Sequence, residues 1–407
     1  MMSNIIENVL ILQGGGSLGA FGCGVFKSLA ENNINIDIVA GTSIGGVNAA
    51  IIAGYNEQVY DNAETALEEF WVETAESSPV YLSLVPYTKW FADINNKRNS
   101  RILFQEPKKI IDDALAKTDE SNKAMRSFFT SIFYGNSKIF LPRWSSDYIL
   151  KDPEYFFPSK WTYLYDHRTL TKTLEKYIDY NKLQPPPQKN NSTKIRLILT
   201  AVNVLTAAPL IFDSHKQRIT AKHLLATSAY PIYSLPWIEL ERGVYAWDGS
   251  LLSNTPLREV IDASPVNDKR IIIVENYPKN INTLPENLPE VYDRARDIIF
   301  SDKTLHSVKM SKVITNYIKY IDELYKIIET YTDVDKIDKQ QLERIRNKYR
   351  RIKKERGAEI KNINYITRDE PFPFIYENAD FSMETIKNSI REGELKTNEL
   401  LNKIEMK

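Results

Sequence analysis

The chain contains very little cysteine and histidine for its length. Cys23 is the only cysteine among 407 residues, and there are four histidines. A single thiol excludes an internal disulfide framework, and we expect Cys23 to be a small packed residue on a helix. The scarcity of histidine also bears on the type of catalysis, because a Ser–His–Asp triad needs a histidine at a suitable position.

Net charge and long apolar runs are absent as well. The 53 basic residues balance 53 acidic residues, so no overall field attracts nucleic acid, and we expect no nucleic-acid partner. No stretch approaches about 18 consecutive apolar residues, which argues against a transmembrane helix. The amino terminus lacks a basic segment, so we expect no signal peptide and a cytoplasmic protein, with peripheral membrane contact left open. We expect neither a metal ion nor an organic cofactor.

Two glycine-rich turns near the amino terminus organise the chain. Each directly follows a short apolar run: Gly14-Gly15-Gly16-Ser17-Leu18-Gly19 and Gly41-Thr42-Ser43-Ile44-Gly45. Residues 9–13 and 34–40 are predicted strands, and residues 20–29 are a predicted helix between them. This is a βαβ unit, which predicts an α/β fold with a parallel sheet.

The second turn fits a nucleophile elbow. A strand that reverses sharply into a helix strains its apex residue, and small residues on either side let the strand and the helix pass closely. Gly41 and Gly45 supply that space, with Thr42 and Ile44 completing the turn, and the Ser43 hydroxyl is left exposed at a helix N-terminus. The pattern occurs often by chance, so alone it also fits a structural turn with an incidental serine.

The first turn is open to two interpretations. Consecutive glycines leave backbone N–H groups pointing into a concavity suited to an anion. The spacing G-x-G-x-x-G fits a dinucleotide-binding loop, with Asp37 close to the position of the ribose-binding acid. Alternatively, the N–H groups of Gly15 and Gly16 form an oxyanion hole for an ester carbonyl attacked by Ser43. Only the second interpretation uses both turns.

A third motif, Asp248-Gly249-Ser250, lies far downstream after a predicted strand over residues 243–247. The ordered set G-G-G-x-x-G, G-x-S-x-G and D-G-small resembles the patatin-like phospholipase family. The resemblance implies a three-layer sandwich around a mainly parallel sheet and hydrolysis of acyl esters by a Ser–Asp dyad. It implies Ser43 as the nucleophile, Asp248 as the base and residues 14–19 as the oxyanion loop.

Two residues depart from the family pattern. Many members carry Arg or Lys where this chain has Leu18, so a contact with an anionic headgroup is removed. Neutral lipids, thioesters and hydroxyalkanoate oligomers therefore stay open as substrates. Ser250 stands where Gly or Ala is usual, which is a mild change.

The histidines support a dyad independently of the resemblance. The four are His167, His215, His223 and His306. An α/β-hydrolase order of Ser, Asp and His requires a histidine after Asp248, and only His306 lies there. Since His306 falls in a Lys-rich amphipathic pattern, we expect it on a helix surface or in helix packing.

Residues 5–276 are predicted as one α/β hydrolase domain, closed by a strand over residues 270–275. An insertion at about 78–190 is rich in aromatic residues up to Tyr165. It fits an irregular subdomain with its own small core. It also fits a cover over the Ser43 site that binds an acyl chain or rests on a lipid surface.

Residues 288–407 are predicted as a charged helical extension. Eight basic residues between Arg344 and Arg356 make either a solvated helix face or a dock for an anionic membrane or a partner helix.

The sequence therefore predicts a serine acyl-ester hydrolase, of the phospholipase A type, acting on a lipid acyl ester. One alternative is a short-chain or hydroxyalkanoate ester or thioester hydrolase of the same fold. Two others are a dinucleotide-binding oxidoreductase and a non-catalytic lipid-binding or scaffold protein. The oligomeric state is left open.

Overall fold

The computed structural model describes most of the chain outside the aromatic insertion. The described residues are 5–76, 131, 133–145, 148, 153, 155–186, 194–281, 284–285, 288–331, 339–369 and 377–405. Most of the predicted insertion lies outside these ranges, so both of its interpretations stay predictions.

A mixed sheet of eight strands forms the centre of the protein. Its strands are β1 (Ile6–Leu12), β2 (Ile38–Gly41), β5 (Arg196–Asn203), β6 (Pro209–Asp213), β7 (Ile238–Glu241), β8 (Val244–Asp248), β9 (Asp268–Glu275) and β10 (Ile360–Thr367). Two short strands, β3 (Leu141–Pro142) and β4 (Tyr165–Asp166), pair separately. The order across the sheet is β10-β9-β1-β2-β5-β8-β7, with β6 also paired to β5.

The larger part of this sheet is parallel, as predicted. β10, β9, β1, β2 and β5 run in one direction, and β6, β7 and β8 continue the sheet with antiparallel pairings. Residues 9–12 of β1 are buried on both faces, which explains why this strand is a continuous apolar run.

Helices cover both faces of the sheet and make the three-layer architecture. Those of the described part are α1 (Gly19–Glu31), α2 (Ile44–Gly54), α3 (Ala63–Glu76), α4 (Thr169–Tyr177), α5 (Ala221–Ser228), α6 (Leu257–Ala263), α7 (Leu288–Tyr331), α8 (Lys339–Arg356) and α9 (Met383–Glu405). One apolar core joins the sheet to α1, α2, α3 and α9, and a second joins it to α6. The predicted βαβ unit is confirmed as β1, α1 and β2.

The C-terminal segment contributes to the sheet itself. The prediction that residues 270–275 close the sheet is wrong, because β10 pairs in parallel with β9 and forms the edge. An edge strand buries only part of its side chains and carries polar residues at the other positions. The sequence of β10 therefore shows no clear strand pattern. The helix α9 packs closely on α1, where a Cβ on Gly24 would lie 1.8 Å from the carbonyl oxygen of Ile390. The division into domains 5–276 and 288–407 stays a prediction.

The long helix α7 and the basic helix α8 form a hairpin. The rings of Tyr325 and Tyr349 stack with their centroids 3.7 Å apart. Arg346 pairs with Glu329 at 2.9 Å, so part of the basic character of α8 is neutralised inside the hairpin. Across the ranges given above, no helix combines the length and apolarity needed to cross a membrane.

Candidate active site

The turn between β2 and α2 holds Ser43 in a strained conformation. Ser43 has φ 57° and ψ −134°, a region that a side chain rarely adopts and that costs of order 1–3 kcal/mol. The glycines on either side are needed for close approach: a Cβ on Gly41 would lie 2.2 Å from the carbonyl oxygen of Gly45. The Ser43 N–H donates to the carbonyl of Thr227 at 3.0 Å. The half-buried serine is therefore held at the apex of a sharp elbow.

Asp248 reaches the same place from the antiparallel side of the sheet. Gly41, at the end of β2, pairs with Leu199 of β5, and Asp248, at the end of β8, pairs with Ala201 of the same strand. β8 thus runs along β5 towards the end of β2. Both turns therefore meet beside β5.

The Asp248 carboxylate is fully buried. Its Oδ1 accepts a hydrogen bond from the N–H of Ser250 at 2.8 Å, whereas Oδ2 has no hydrogen-bond partner in the described part of the chain. Burial raises the pKa of Asp248 to about 7, and the hydrogen bond from Ser250 and the nearby Ser43 hydroxyl offset this only in part. The carboxyl group therefore titrates near neutral pH.

The two residues after Asp248 fit a crowded turn. A Cβ on Gly249 would lie 2.5 Å from Oγ1 of Thr200, so the D-G pair is a steric requirement. Ser250 is buried, and its hydroxyl donates to Oδ1 of Asn254 at 3.1 Å. This hydrogen bond shows why serine is accepted at the usual Gly or Ala position.

The glycine-rich loop lies directly against the elbow. A Cβ on Gly14 would lie 2.7 Å from the Cβ of Ser43. The Gly14 N–H donates to Oδ1 of Asn254 at 2.9 Å. The N–H groups of Gly15 and Gly16, in contrast, have no acceptor among the residues that the structure describes. Both glycines line the cavity that contains Ser43.

The rest of the loop packs rather than faces solvent. Gly16 has φ 60°, and a Cβ there would lie 2.2 Å from the carbonyl oxygen of Asn378. The Ser17 hydroxyl donates to the carbonyl of Glu377 at 2.5 Å. Leu18 is buried in a small apolar cluster with Tyr277 and Phe300. Gly19 leaves room for Ile44, whose Cγ2 would lie 2.8 Å from an added Cβ.

A cavity of about 430 Å³ opens over these groups. Its polar base contains Ser43, Asp248 and the glycine loop, whereas its walls are mainly apolar and aromatic. The wall residues include Ile139, Phe140, Tyr165, Leu170, Tyr230, Ile232, Tyr233, Leu235, Tyr277, Phe300 and Phe381.

No described histidine side chain bonds to Ser43 or Asp248. His167 also borders the cavity, but its Nε2 lies 2.9 Å from the carbonyl oxygen of Leu225. Burial lowers the pKa of His167, so the ring is neutral at physiological pH. His223 caps α5 through Thr220. The side chain of His306 lies outside the described part, so its expected role stays a prediction.

Asp37 lies at the wrong end of its strand for a dinucleotide site. It immediately precedes β2, whereas the glycine loop follows β1, and the two strands are parallel. The residues are therefore at opposite ends of the sheet. Asp37 instead accepts a hydrogen bond from the N–H of Asn8 at 2.7 Å. In the described ranges, no cluster of histidine, cysteine and carboxylate side chains could hold a metal ion.

The three predicted motifs meet in one cavity, together with residues that sequence reasoning missed. Asn254 lies shortly after the Asp248 motif, and its Oδ1 accepts the hydrogen bond from the Gly14 N–H. Asn276 directly follows β9, and its place at the end of a parallel strand beside β1 is a signal that could have found it. Asn378 has no comparable signal.

Comparison with known proteins indicates a family. The family model of patatin-like phospholipase matches residues 10–261. Among solved structures, the chain is similar to VipD from Legionella pneumophila, with 15% identity, a TM-score of 0.37, and coverage of 98% of this chain and 67% of that one.

Two structures of ExoU with SpcU from Pseudomonas aeruginosa are also similar. The first has 17% identity, a TM-score of 0.25 and coverage of 72% of this chain and 47% of that one. The second has 15% identity, a TM-score of 0.24 and coverage of 75% and 52%. The chain thus spans about half the length of these two matches. No curated protein matches it.

Proposed function

Because the chain belongs to the patatin-like phospholipase family, we propose that it is a serine hydrolase of lipid acyl esters with Ser43 and Asp248 as its catalytic dyad. Family membership supports lipid hydrolysis in general. The observation that carries the finer proposal is the convergence of a strained serine and a buried carboxylate on one apolar cavity.

Besides the ester and water, the proposed reaction needs only groups of this chain. The Ser43 hydroxyl attacks the ester carbonyl while Oδ2 of Asp248 takes the hydroxyl proton. The N–H groups of Gly15 and Gly16 stabilise the oxyanion that develops. Asp248 then returns the proton to the leaving alcohol, which leaves an acyl group on Ser43. Water attacks this acyl-enzyme while Asp248 takes a proton from it, and Asp248 then returns the proton to the Ser43 oxygen as the fatty acid is released.

The pKa of Asp248 fits this double role. A general base works best when its pKa lies near the operating pH, because it must be ionised and must still attract a proton. Burial provides this by raising the pKa of Asp248 to about 7. A histidine is then unnecessary between the serine and the acid.

The cavity favours an apolar acyl chain. Its volume of about 430 Å³ lies within the range of about 300–1,000 Å³ that is usual for small-molecule sites. Leu18 is buried against Tyr277 and Phe300, so this loop position offers no cation to a phosphate headgroup. We therefore propose a neutral or weakly recognised headgroup, with short-chain esters and thioesters as the alternative substrates.

The first turns of α7 support contact with a lipid surface. The polarity of this helix is the reverse of the usual one, in which charged side chains face solvent. Asp293, Arg296 and Asp297 face the protein interior. Its outward face consists of apolar side chains: Leu288, Val291, Tyr292, Ala295, Ile298 and Ile299. Phe300 of the same helix lines the cavity.

The rim of the cavity extends this apolar surface. Ile232 lines the cavity and is 70% exposed. A bilayer is the partner that such a surface fits best, because it supplies both the apolar contact and the ester substrate. We infer that the face of α7 and the rim rest on the lipid from which the substrate enters.

The proposal is tested by hydrolysis of p-nitrophenyl esters of several chain lengths. The enzymes compared are the wild type, Ser43→Ala, Asp248→Asn and the control Ser137→Ala, which alters an exposed turn residue. We expect activity in the wild type and the control, its loss in the other two, and a preference for longer chains. Activity that survives Ser43→Ala contradicts the mechanism, and a strict preference for acetate or butyrate favours the short-chain alternative.

A further inference from the structure

Two asparagine side chains hold the carbonyl groups of the glycine loop. The Nδ2 of Asn378 donates to the Gly15 carbonyl at 3.0 Å. The Nδ2 of Asn276 donates to the Gly14 carbonyl at 3.1 Å. Both hydrogen bonds are buried. Neither asparagine touches Ser43 or Asp248 through a hydrogen bond.

Peptide geometry couples these carbonyls to the next N–H groups. The C=O of one residue and the N–H of the following residue lie in one plane and point in opposite directions across a trans peptide. Holding the Gly15 carbonyl towards Asn378 therefore turns the Gly16 N–H the other way. Asn276 has the same effect on the Gly15 N–H through the Gly14 carbonyl. These are the two N–H groups that lack an acceptor among the described residues.

The orientation of the Asn378 amide is itself determined by its neighbours. A guanidinium can only donate, so the amide oxygen must face Nη1 of Arg296. The NH₂ group then faces the Gly15 carbonyl and the Tyr277 hydroxyl, to which it donates at 3.0 Å and 2.9 Å. A flipped amide would place its NH₂ group against Arg296 and its oxygen against the Gly15 carbonyl.

Ion pairs behind Asn378 fix this arrangement further. Arg296 bonds to a carboxylate oxygen of Glu377 at 3.0 Å. The same Glu377 accepts two hydrogen bonds from Nη2 of Arg368, both at 2.9 Å. These groups are largely buried, where charge-assisted hydrogen bonds are strong and geometrically selective. The glycine loop is thus held by a segment that lies 363 positions further along the chain.

We propose that Asn378 and Asn276 are positioning residues that aim the Gly15 and Gly16 N–H groups at the developing oxyanion. This inference rests on the proposed function, because it assigns a role in the same reaction. Its consequence is that the C-terminal segment completes the active site. Preorganised donors are effective only when they already point at the position of the oxyanion.

The test compares Asn378→Leu with the matched control Thr385→Val. Leucine keeps the approximate size of asparagine and removes both donors. Thr385 lies in the same segment, and its hydroxyl donates to Asp380 at 2.7 Å without contacting the loop. Each enzyme is assayed for kcat and KM on one ester. Each is also assayed for inhibition by an alkyl trifluoromethyl ketone, which forms an oxyanion on the serine, and by an alkyl ether that resembles the substrate.

For Asn378→Leu we expect kcat to fall by at least about 10-fold, a fraction of the 10²–10³ lost when an oxyanion donor is removed. KM and the ether inhibition constant should stay within about threefold, while the ketone inhibition constant rises in proportion to the fall in kcat/KM. Thr385→Val should match the wild type. If the role of Asn378 is only structural, the melting temperature should fall, and the inhibition constants of the ketone and the ether should change by the same factor.

Asn378→Asp provides a second variant should the leucine variant not fold. Aspartate still accepts from Arg296 but loses the donors, so the same loss of kcat and ketone affinity is expected. If either folded variant retains wild-type kcat and ketone affinity while Ser43→Ala is inactive, the inference fails and the proposed function stands. If activity survives Ser43→Ala, both fail.

Discussion

Gly14 and Ser43 are in contact across the site, since a Cβ on Gly14 would lie only 2.7 Å from the Cβ of Ser43. This contact joins the loop after β1 to the elbow after β2. It places beside Ser43 the loop whose Gly15 and Gly16 N–H groups have no acceptor among the described residues. The proposed chemistry therefore depends on the distance between Gly14 and Ser43.

Adding one methyl group at Gly14 should disrupt this geometry. In Gly14→Ala the new Cβ would collide with Ser43 and with Oδ1 of Asn254, 2.8 Å away. A displacement of about 1 Å between reacting groups can cost about 10²-fold in rate, and we expect a loss of this order in kcat. Steady-state hydrolysis of a p-nitrophenyl ester measures it.

Gly243→Ala is the control for this substitution. Gly243 has φ 82°, but an added Cβ meets no atom of the described residues within 4 Å. This variant should lose of order 1 kcal/mol of stability and keep its rate per folded molecule. Equal rates for the two variants would contradict the proposed role of the contact.

Ester hydrolysis should depend on the ionisation of Asp248. Only the carboxylate form can take the Ser43 proton, and burial raises the pKa of Asp248 to about 7. We expect kcat/KM to rise with pH and to reach half of its plateau within about one unit of pH 7, as the free enzyme loses this proton. The profile is measured from pH 5 to pH 9, with Ser43→Ala as the background. A flat profile down to pH 5 would argue against Asp248 as the base.

The same pKa shift predicts that the wild type loses stability as pH rises. The folded-state pKa of about 7 lies above the ordinary value of 3.8. The unfolded chain therefore releases this proton near pH 4, whereas the folded chain retains it until about pH 7. The stabilisation present below pH 4 is lost through this window.

Asp248→Asn removes this titration. Relative to the wild type, its free energy of unfolding should improve by about 3 kcal/mol between pH 5 and pH 8, since one pKa unit corresponds to about 1.4 kcal/mol. Urea unfolding at both pH values measures the change, and all other titrating groups are shared. A stability difference that is the same at both pH values would contradict the raised pKa.

The apolar face of α7 should bind lipid. Ile299 is 56% exposed on this face and does not line the cavity. We expect Ile299→Ser to weaken sedimentation with phosphatidylcholine vesicles by several-fold, because about 25 cal/mol is lost per Å² of apolar surface left in water. Hydrolysis of a soluble p-nitrophenyl ester should be unchanged.

Ile5→Ser is the matched control for lipid binding. Ile5 is 68% exposed. It precedes β1, so it lies at the end of the strands opposite to Ser43. It should sediment with vesicles like the wild type. If both variants bind equally well, α7 is not the lipid-contacting surface.

The main parts of the site could be predicted because they follow strand ends. A short apolar run followed by glycines indicates a strand and a tight turn. Parallel strands bring the turns at their carboxyl ends together on one side of the sheet. Ser43 and the glycine loop are of this kind, and both line one cavity with Asp248.

The residues that escaped prediction act through long-range contacts. Asn378 is one asparagine in a polar segment, and its position against Gly15 depends on how α9 and β10 dock. β10 was missed because an edge strand of mixed polarity has no clear period. Local pattern therefore located the proposed reacting groups, whereas the residues proposed to orient them depend on tertiary packing.

The identity of the nucleophile is the central claim, and mass spectrometry of the labelled protein tests it most directly. The wild type, Ser43→Ala and Ser137→Ala are incubated with an alkyl fluorophosphonate, which phosphonylates activated serines. The account predicts one adduct in the wild type and in Ser137→Ala, mapped to the peptide that contains Ser43, and none in Ser43→Ala. An adduct on another serine, or one that persists in Ser43→Ala, would contradict it.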